Sequence, residues 1–491
     1  MSRPALPVRI GWETHLRPFL FQKLPPDTGW SATLGTLCAL LFGVMTVSGI
    51  FLAMYYNPSP DKAYQSVDYI MREVPLGSVL RGIHHWGAGA MVLFVFLHLL
   101  ANFFSGSFKA PREMTWIIGV ALFLATLGLG FTGYLLPWDM KAYWATVVST
   151  NIPRDIPVLG PIITRVALGG DGVSGLTLTR FYAIHTLLLP ALLLVLTAAH
   201  IYLVRLHGLC EHRKAAPAAG QDPAPAPAEE PAPYRFYPEH TWRSTLVFSA
   251  VFAGVLALAL WGSVPKEEIA GTLIESYLPR PEWYYMWLFQ MLTYFAGAWE
   301  TVGSLAVPIV GILLLFTVPF LGKGLSGLAN RPLGMGVGVT CVVGIVFLTL
   351  TGFDGARPYG QVIPVPDAKL TAGQTRGLFL YADRECSYCH QIQGRGGHRT
   401  GPDLANLTAK RRDLDYLVRY VKNPQAVSPT SIMPKYELPE PDLRALAEFM
   451  LALDFNRAPA RNWTREQALA LSSPATPALP TGKHSAEAQR P

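Results

Sequence analysis

Charged residues are scarce in this chain. Only 15% of its 491 residues are Asp, Glu, Lys or Arg, and 51% are hydrophobic, whereas an ordinary soluble domain carries about 25% charged residues. That shortage excludes a soluble globular protein for most of the length and points to an integral membrane protein in a lipid bilayer. Basic runs interleaved with aromatics are also lacking, so the net charge of +7 signals no nucleic-acid partner. Single Lys and Arg residues spread through loops read instead as topology signals. Cysteine is rare as well. Three of the five, Cys38, Cys210 and Cys341, stand alone in or beside apolar segments and read as inert core residues. No cleavable signal peptide is read before the first apolar run, which begins near Trp30 behind Arg3, Arg9, Arg17 and Lys23. The first span is expected to do the targeting.

What the chain has in quantity is apolar stretches of about 20 residues, the length that crosses a bilayer. They fall at about 30–56, 80–104, 114–136, 180–206, 242–264, 303–322 and 333–352. The expected fold is all-α: a polytopic bundle of about seven transmembrane helices, with a small α-helical domain after it. The connections at about 137–179 and 265–302 carry Pro and Trp and are of the kind that shapes a site at a membrane surface.

Composition also sets the boundaries. Residues 1–29 precede the first span, 30–212 form a four-span core, and 213–240 are a Pro/Ala-rich linker with too little apolar material to fold alone. Residues 241–353 form a three-span unit, 354–369 a connector, 370–455 a polar domain and 456–491 a tail expected to be disordered. Lys and Arg beside the spans are more numerous on the N-terminal side, from Arg9 and Lys23 to Lys109, Arg112, Arg213 and Lys323. That bias puts the N-terminus in the cytoplasm. An odd number of spans then puts the C-terminal domain outside.

Five histidines lie inside the apolar windows, and four of them keep a regular spacing. His84 and His98 are fourteen residues apart in the second span, a rise of about 21 Å and a turn about 40° short of four full revolutions. His185 and His200 in the fourth span are fifteen apart and share a face to within about 60°. Ionisable groups there are costly and by default functional. Two helices offering imidazoles at matching depths can clamp two stacked metalloporphyrins by bis-His ligation, with His85 pointing off that face. Glycines copy the period: Gly35 and Gly49 in the first span, Gly119 and Gly133 in the third. Such glycines usually serve helix packing, but this period favours clearance for flat rings. Arg81 and Arg205 stand near the ligand positions as partners for propionates or as interfacial anchors.

The polar domain contains CSYCH at 386–390. Cys386 and Cys389 followed by His390 form the attachment pattern of a covalent c-type haem. A redox dithiol or zinc site competes with that reading, but a simple thioredoxin-like pair gives the adjacent His no role.

These residues closely resemble the cytochrome b subunit of the Rieske/cytochrome b quinol-oxidising complexes, over about 25–352. The stretches are RGIHHWGAGAMVLFVFLH, FKAPREMTW, GFTGYLLPWDMKAYWATVVSTNIPRDIPVLG, TLTRFYAIH and PRPEWYYMWLFQML. The fifteen-residue step and the PREMTW and TLTRFY wording are similar to the chloroplast form, whose four-span and three-span units are separate chains. Here they are fused.

The resemblance implies two non-covalent b haems, one held by His84 and His185 near the outer (p) side and one by His98 and His200 near the cytoplasmic (n) side. It places quinol oxidation between GYLLPW and PEWY, with Glu282 as proton acceptor and Tyr134 beside it. Two positions depart from the family. Thr33 stands where the chloroplast-type chain has a Cys that links an extra haem, so that haem is expected to be absent or not covalently held. Ala101 stands where an Arg usually serves a propionate.

Residues from about Leu370 to Asp454 resemble a class I cytochrome c, through CSYCH, TGPDL and SIMPKYELPEPDLRALAEFMLAL. The resemblance implies His390 and Met433 as axial ligands of one covalent haem c, with the Pro402 carbonyl taking the imidazole proton. Together these features imply the cytochrome b/c subunit of a proton-translocating quinol–cytochrome c reductase. One quinol electron would cross the two b haems to an n-side quinone. The other would reach the fused haem c through a Rieske iron–sulphur protein on a separate chain. Further implied partners are the quinone pool, a downstream cytochrome or oxidase and a second copy of the complex, in a bacterial inner or photosynthetic membrane. A di-haem anchor that links the quinone pool to a dehydrogenase without bifurcation is the rival, and PEWY argues against it.

Overall fold

The computed structural model describes residues 17–25, 28–154, 156, 159–170, 172–209, 234–270, 280–295, 299, 302–321, 332–354, 362–395, 401–410, 412–428, 431, 433–456 and 459–471. Most of the linker expected at 213–240, the segment before Arg17 and much of the connector at 354–369 lie outside the described residues.

Among the described residues seven helices are long and apolar enough to cross a membrane: Trp30–Ala53, Gly77–Ser105, Glu113–Tyr134, Gly175–His207, Phe236–Trp261, Val302–Leu321 and Gly334–Phe353. Bilayer-length apolar runs must be helical because lipid offers no partner to an open backbone. The first span packs on the second and the third on the fourth, while the fifth lies across the first two. Gly82 permits that last approach, since a Cβ there would meet the backbone of Ala259 at 2.8 Å. Trp116 of the third span donates its indole N–H to the Leu315 carbonyl of the sixth at 2.7 Å.

Within the first four spans the buried core is Leu37, Leu41, Met91, Val95, Ala125 and Leu193. Each lies between the two Gly or His positions of its own span. An apolar layer therefore separates the level of His84 and His185, the outer one if the N-terminus is cytoplasmic, from the inner level of His98 and His200.

Short helices fill the connections: Ala63–Arg72, Met140–Arg154, Leu159–Leu168 and Trp283–Leu292. The loop before Met140 is tied to the one before the PEWY segment by Met140 N–H to the Glu268 carbonyl at 2.8 Å and Ala270 N–H to the Trp138 carbonyl at 3.0 Å. Buried Asp139 accepts from the Ala142 N–H at 2.8 Å and starts the helix that follows.

The C-terminal unit is a separate compact body. Helices Ala372–Asp383 and Glu440–Ala452 pack closely. Gly377 lies against the Ala445 backbone with no room for a side chain, and Arg376 pairs with Asp442 through two 3.0 Å hydrogen bonds. The core includes Leu378, Tyr381, Leu443, Leu446 and Phe449.

The mostly helical fold is as expected, and beside it, from the connector and the tail, β1 (Val362–Pro366) pairs antiparallel with β2 (Ala460–Thr464), Ile363 opposite Trp463. The tail expected to be disordered from 456 is instead ordered at 459–471, where a capping box of Thr464 and Gln467 begins the helix Arg465–Leu469. Fully buried Ile363 and Val365 supply the apolar face that draws this segment in. Residues 457–458 and 472–491 lie outside the described residues.

Candidate cofactor and quinol sites

Four spans bring the intramembrane histidines together in two pairs. His84 and His185 have ring centroids 6.2 Å apart, and His98 and His200 6.4 Å apart, with planes crossed at 76° and 77°. A metal midway between two imidazoles, about 2 Å from each nitrogen, separates ring centres by close to these distances. The pairs therefore fit bis-imidazole ligation without rearrangement of the helices.

The rings are oriented by backbone and hydroxyl groups. The Leu129 carbonyl accepts from Nδ1 of His185 at 3.1 Å. Ser48 donates to the Val44 carbonyl at 2.8 Å and meets Nδ1 of His84 at 2.9 Å. A carbonyl only accepts, so Nδ1 of His185 carries the proton and its Nε2 is left unprotonated, as a ligand nitrogen must be. On the inner level the Asn102 amide lies 3.3 Å from Nδ1 of His98 and donates to the His98 carbonyl at 2.8 Å.

Each histidine ring rests against one of the four glycines. A Cβ would stand 3.2 Å from Cε1 of His98 at Gly35, 3.1 Å from that of His84 at Gly49, and 3.4 Å from that of His200 at Gly119. At Gly133 it would run into the His185 ring. The glycines thus make room for the histidine rings.

The fifteen-residue step has a local cause. Ile184–Leu188, which contains His185, is a π-helical turn. A π turn inserts one extra residue into an α-helix, so fifteen residues here keep the register that fourteen give in the second span.

Around the outer pair opens a cavity of about 380 Å³, walled by His84, His185, Gly49, Gly133, Tyr134, Glu282 and Tyr284 among others. Glu282 is the residue before the helix Trp283–Leu292, which fixes where its side chain enters. Its Oε1 accepts from Lys141 Nζ at 3.0 Å. The Tyr134 hydroxyl donates to the Arg280 carbonyl at 3.2 Å. His85, stacked edge-on against Trp86, also borders the cavity. The structure brings Glu282 and Tyr134 to one cavity, and adds Lys141, which no sequence motif singles out.

The two arginines reach protein acceptors. Arg81 donates to the Pro265 carbonyl at 3.1 Å, while Arg205 donates to Gln22 and stacks 4.3 Å from the Phe236 ring centre. Thr33 is buried, with its hydroxyl on the Trp30 carbonyl at 2.7 Å.

In the C-terminal unit Cys386–Cys389 form one helical turn, and neither thiol is in a disulfide. Burial pushes the Cys389 thiol up to about 11. His390 donates from Nδ1 to the Pro402 carbonyl at 2.8 Å, which leaves Nε2 unprotonated and able to bind a metal. Gly401 lies against that ring with no space for a side chain. Met433 and Cys386 both pack on the rim of the same core, and Gln425 donates to the Met433 carbonyl at 2.8 Å.

Comparison with known proteins adds independent findings. The family described as cytochrome b/b6/petB matches residues 23–208, and cytochrome c matches 374–454. The menaquinol:cytochrome c reductase cytochrome b subunit of Geobacillus thermodenitrificans is 48% identical over 176 residues, 36% of this chain and 79% of that one. The cytochrome b6 of Heliobacterium modesticaldum is 42% identical over 178 residues, 36% of this chain and 84% of that one. A solved structure of a hyperthermophilic respiratory Complex III aligns with a TM-score of 0.61 at 27% identity, covering 70% of this chain and 90% of that one.

Proposed function

The chain belongs to the cytochrome b/b6 family and carries a cytochrome c domain besides, and on that premise we propose that it is the cytochrome b/c subunit of a quinol–cytochrome c reductase-type complex. The observation that carries the reading is the outer cavity. It brings the ion-paired carboxylate of Glu282, the phenol of Tyr134 and the imidazoles of His84 and His185 to the border of one space.

His84 with His185, and His98 with His200, would hold two b haems. Cys386 and Cys389 would bind one haem c covalently, with His390 and Met433 as axial ligands. When bound, these groups take up and release single electrons. The chain's own residues supply the rest. Glu282 takes the proton of a quinol hydroxyl, as a positioned carboxylate can. Tyr134 closes the wall beside it by its bond to the Arg280 carbonyl. The layer of Leu37, Leu41, Met91, Val95, Ala125 and Leu193 keeps the two levels dry and apart, and the Pro402 carbonyl orients His390.

One quinol electron leaves through a separate Rieske iron–sulphur protein toward the C-terminal domain and a downstream cytochrome or oxidase. The other crosses the membrane to an n-side quinone. Protons are released outside and consumed in the cytoplasm. The N-terminus is cytoplasmic, the C-terminal domain lies on the p side of a bacterial inner or photosynthetic membrane, and the complex is a homodimer.

The test is a reduced-minus-oxidised spectrum and pyridine haemochrome of the complex purified in mild detergent. Two b haems and one c haem per chain are expected, the c haem staying with the polypeptide on a denaturing gel. A missing c haem would overturn the assignment and favour a simple di-haem anchor.

A further inference from the structure

Lys141 occupies a position that the quinol-site reading does not use. Its Nζ lies 3.0 Å from Glu282 Oε1, with side chains only 21% and 19% exposed, and 5.6 Å from the centre of the Tyr134 ring. Lys141 and Glu282 line the cavity together with Tyr134 and His84. Neither end of the pair is on a loose tether. Lys141 is the second residue of the helix Met140–Arg154, whose start is fastened to the Glu268 carbonyl. Glu282 is held where its own carbonyl accepts from the Tyr285 N–H at 2.9 Å.

We propose that Lys141 is a positioning residue for proton transfer: it holds the Glu282 carboxylate toward the cavity and lets it go when the carboxylate is protonated. This rests on the reading of Glu282 as the quinol proton acceptor. With Lys141 on Oε1, the carboxylate has Oε2 left to accept from a quinol hydroxyl. The quinol O–H bond breaks and a carboxyl O–H bond forms, while the electrons go to the one-electron acceptors already named. The proton abolishes the charge that held Nζ to Oε1, because a neutral acid lacks the strength of a charge-assisted partner. The acid is then free to turn from the cavity and give its proton to water, and the returning carboxylate is recaptured. The other charged or titratable groups bordering the cavity are Tyr56 of the loop after the first span, Arg81, His84 and His85 of the second span, Tyr134 of the third, Tyr182 and His185 of the fourth, Tyr284, and Asp139 and Glu267 of the loops; His85 feels the Glu282 charge across the cavity. Asp139 is engaged with backbone N–H groups of Ala142 and Glu267, so of these groups only Lys141 is positioned as a cationic latch on Glu282.

The test uses the purified complex with its iron–sulphur partner and the variants K141M, K141R, E282Q and K141M/E282Q. Methionine keeps the length and drops the charge. K141M is expected to lower the kcat of quinol oxidation about tenfold, the order of one lost charge-assisted hydrogen bond, with KM changed less than about threefold on that same scale and the haem spectra unaltered. K141R should recover most of the rate, and K141M/E282Q should be no slower than E282Q, because residues acting through one another are not additive. A wild-type kcat in K141M would overturn the proposal. So would an equal loss in both backgrounds, which would mark a structural role. A wild-type rate in E282Q would instead overturn the assignment of Glu282, and this proposal with it.

Discussion

The Ser48 hydroxyl of the first span meets Nδ1 of His84 in the second at 2.9 Å. That hydroxyl is otherwise spent on the Val44 carbonyl, so its oxygen is free to accept the imidazole proton. The bond fixes the tautomer in which Nε2 is unprotonated, in a ring whose centre lies 6.2 Å from that of His185.

Removing the hydroxyl tests that role. Ser48→Ala is expected to loosen the outer b haem about tenfold, the usual effect of losing a group that orients a ligand histidine, while the inner haem stays. The measurement is the b-haem content of purified protein after washing in detergent. Full retention in Ser48→Ala would mean that the helix alone orients His84.

The first span also offers an internal control. A Cβ at Gly49 would stand 3.1 Å from the His84 ring, but at Gly43, within the same helix, it would meet nothing within 4 Å. Gly49→Val is therefore expected to displace His84 and remove one of the two b-haem signals. Gly43→Ala should keep both and stabilise the helix by up to about 1 kcal/mol. Equal effects at the two positions would show that the glycines serve helix packing generally.

In the C-terminal unit Trp463 of β2 lies opposite Ile363 of β1 and packs on the core. Trp463→Ala should cost about 2–4 kcal/mol as buried aromatic contact is lost. The expected readout is faster limited proteolysis between Val362 and Leu471, with the b-haem spectrum unchanged. An unchanged cleavage rate would mean the strand pair is dispensable.

The spans, the histidine pairs and the Cys-x-x-Cys-His turn were legible because each rests on a periodicity or a local pattern: twenty apolar residues, a step of fourteen, a fixed pentapeptide. The pairing of Lys141 with Glu282 was not, since the two are brought together from distant connections by loops whose hydrogen bonds no local rule foretells. Lys141 looked like any positive loop residue. The strand Ala460–Thr464 was hidden for a similar reason. Its exposed, polar sequence is that of a tail, and only pairing with the apolar Val362–Pro366 orders it.

The step of fifteen between His185 and His200 was legible as a number, but its cause was not. On a regular α-helix fifteen residues leave the two rings about 60° apart in azimuth, yet both meet their partners at nearly the same distance, 6.2 and 6.4 Å. The π turn at Ile184–Leu188 absorbs the extra residue. Two deletions of one residue should therefore behave oppositely. Removing Leu187, an exposed residue of the π turn, should convert it to α-helix with fourteen residues between the ligands, and both b haems should remain. Removing Leu194, an exposed residue of the α-helical part, leaves the π turn in place and rotates His200 by about 100° relative to His185, so the inner haem should be lost. The spectrum of each variant reads the outcome directly. Loss of a haem in both deletions would mean that the extra residue is not what keeps the two levels in register.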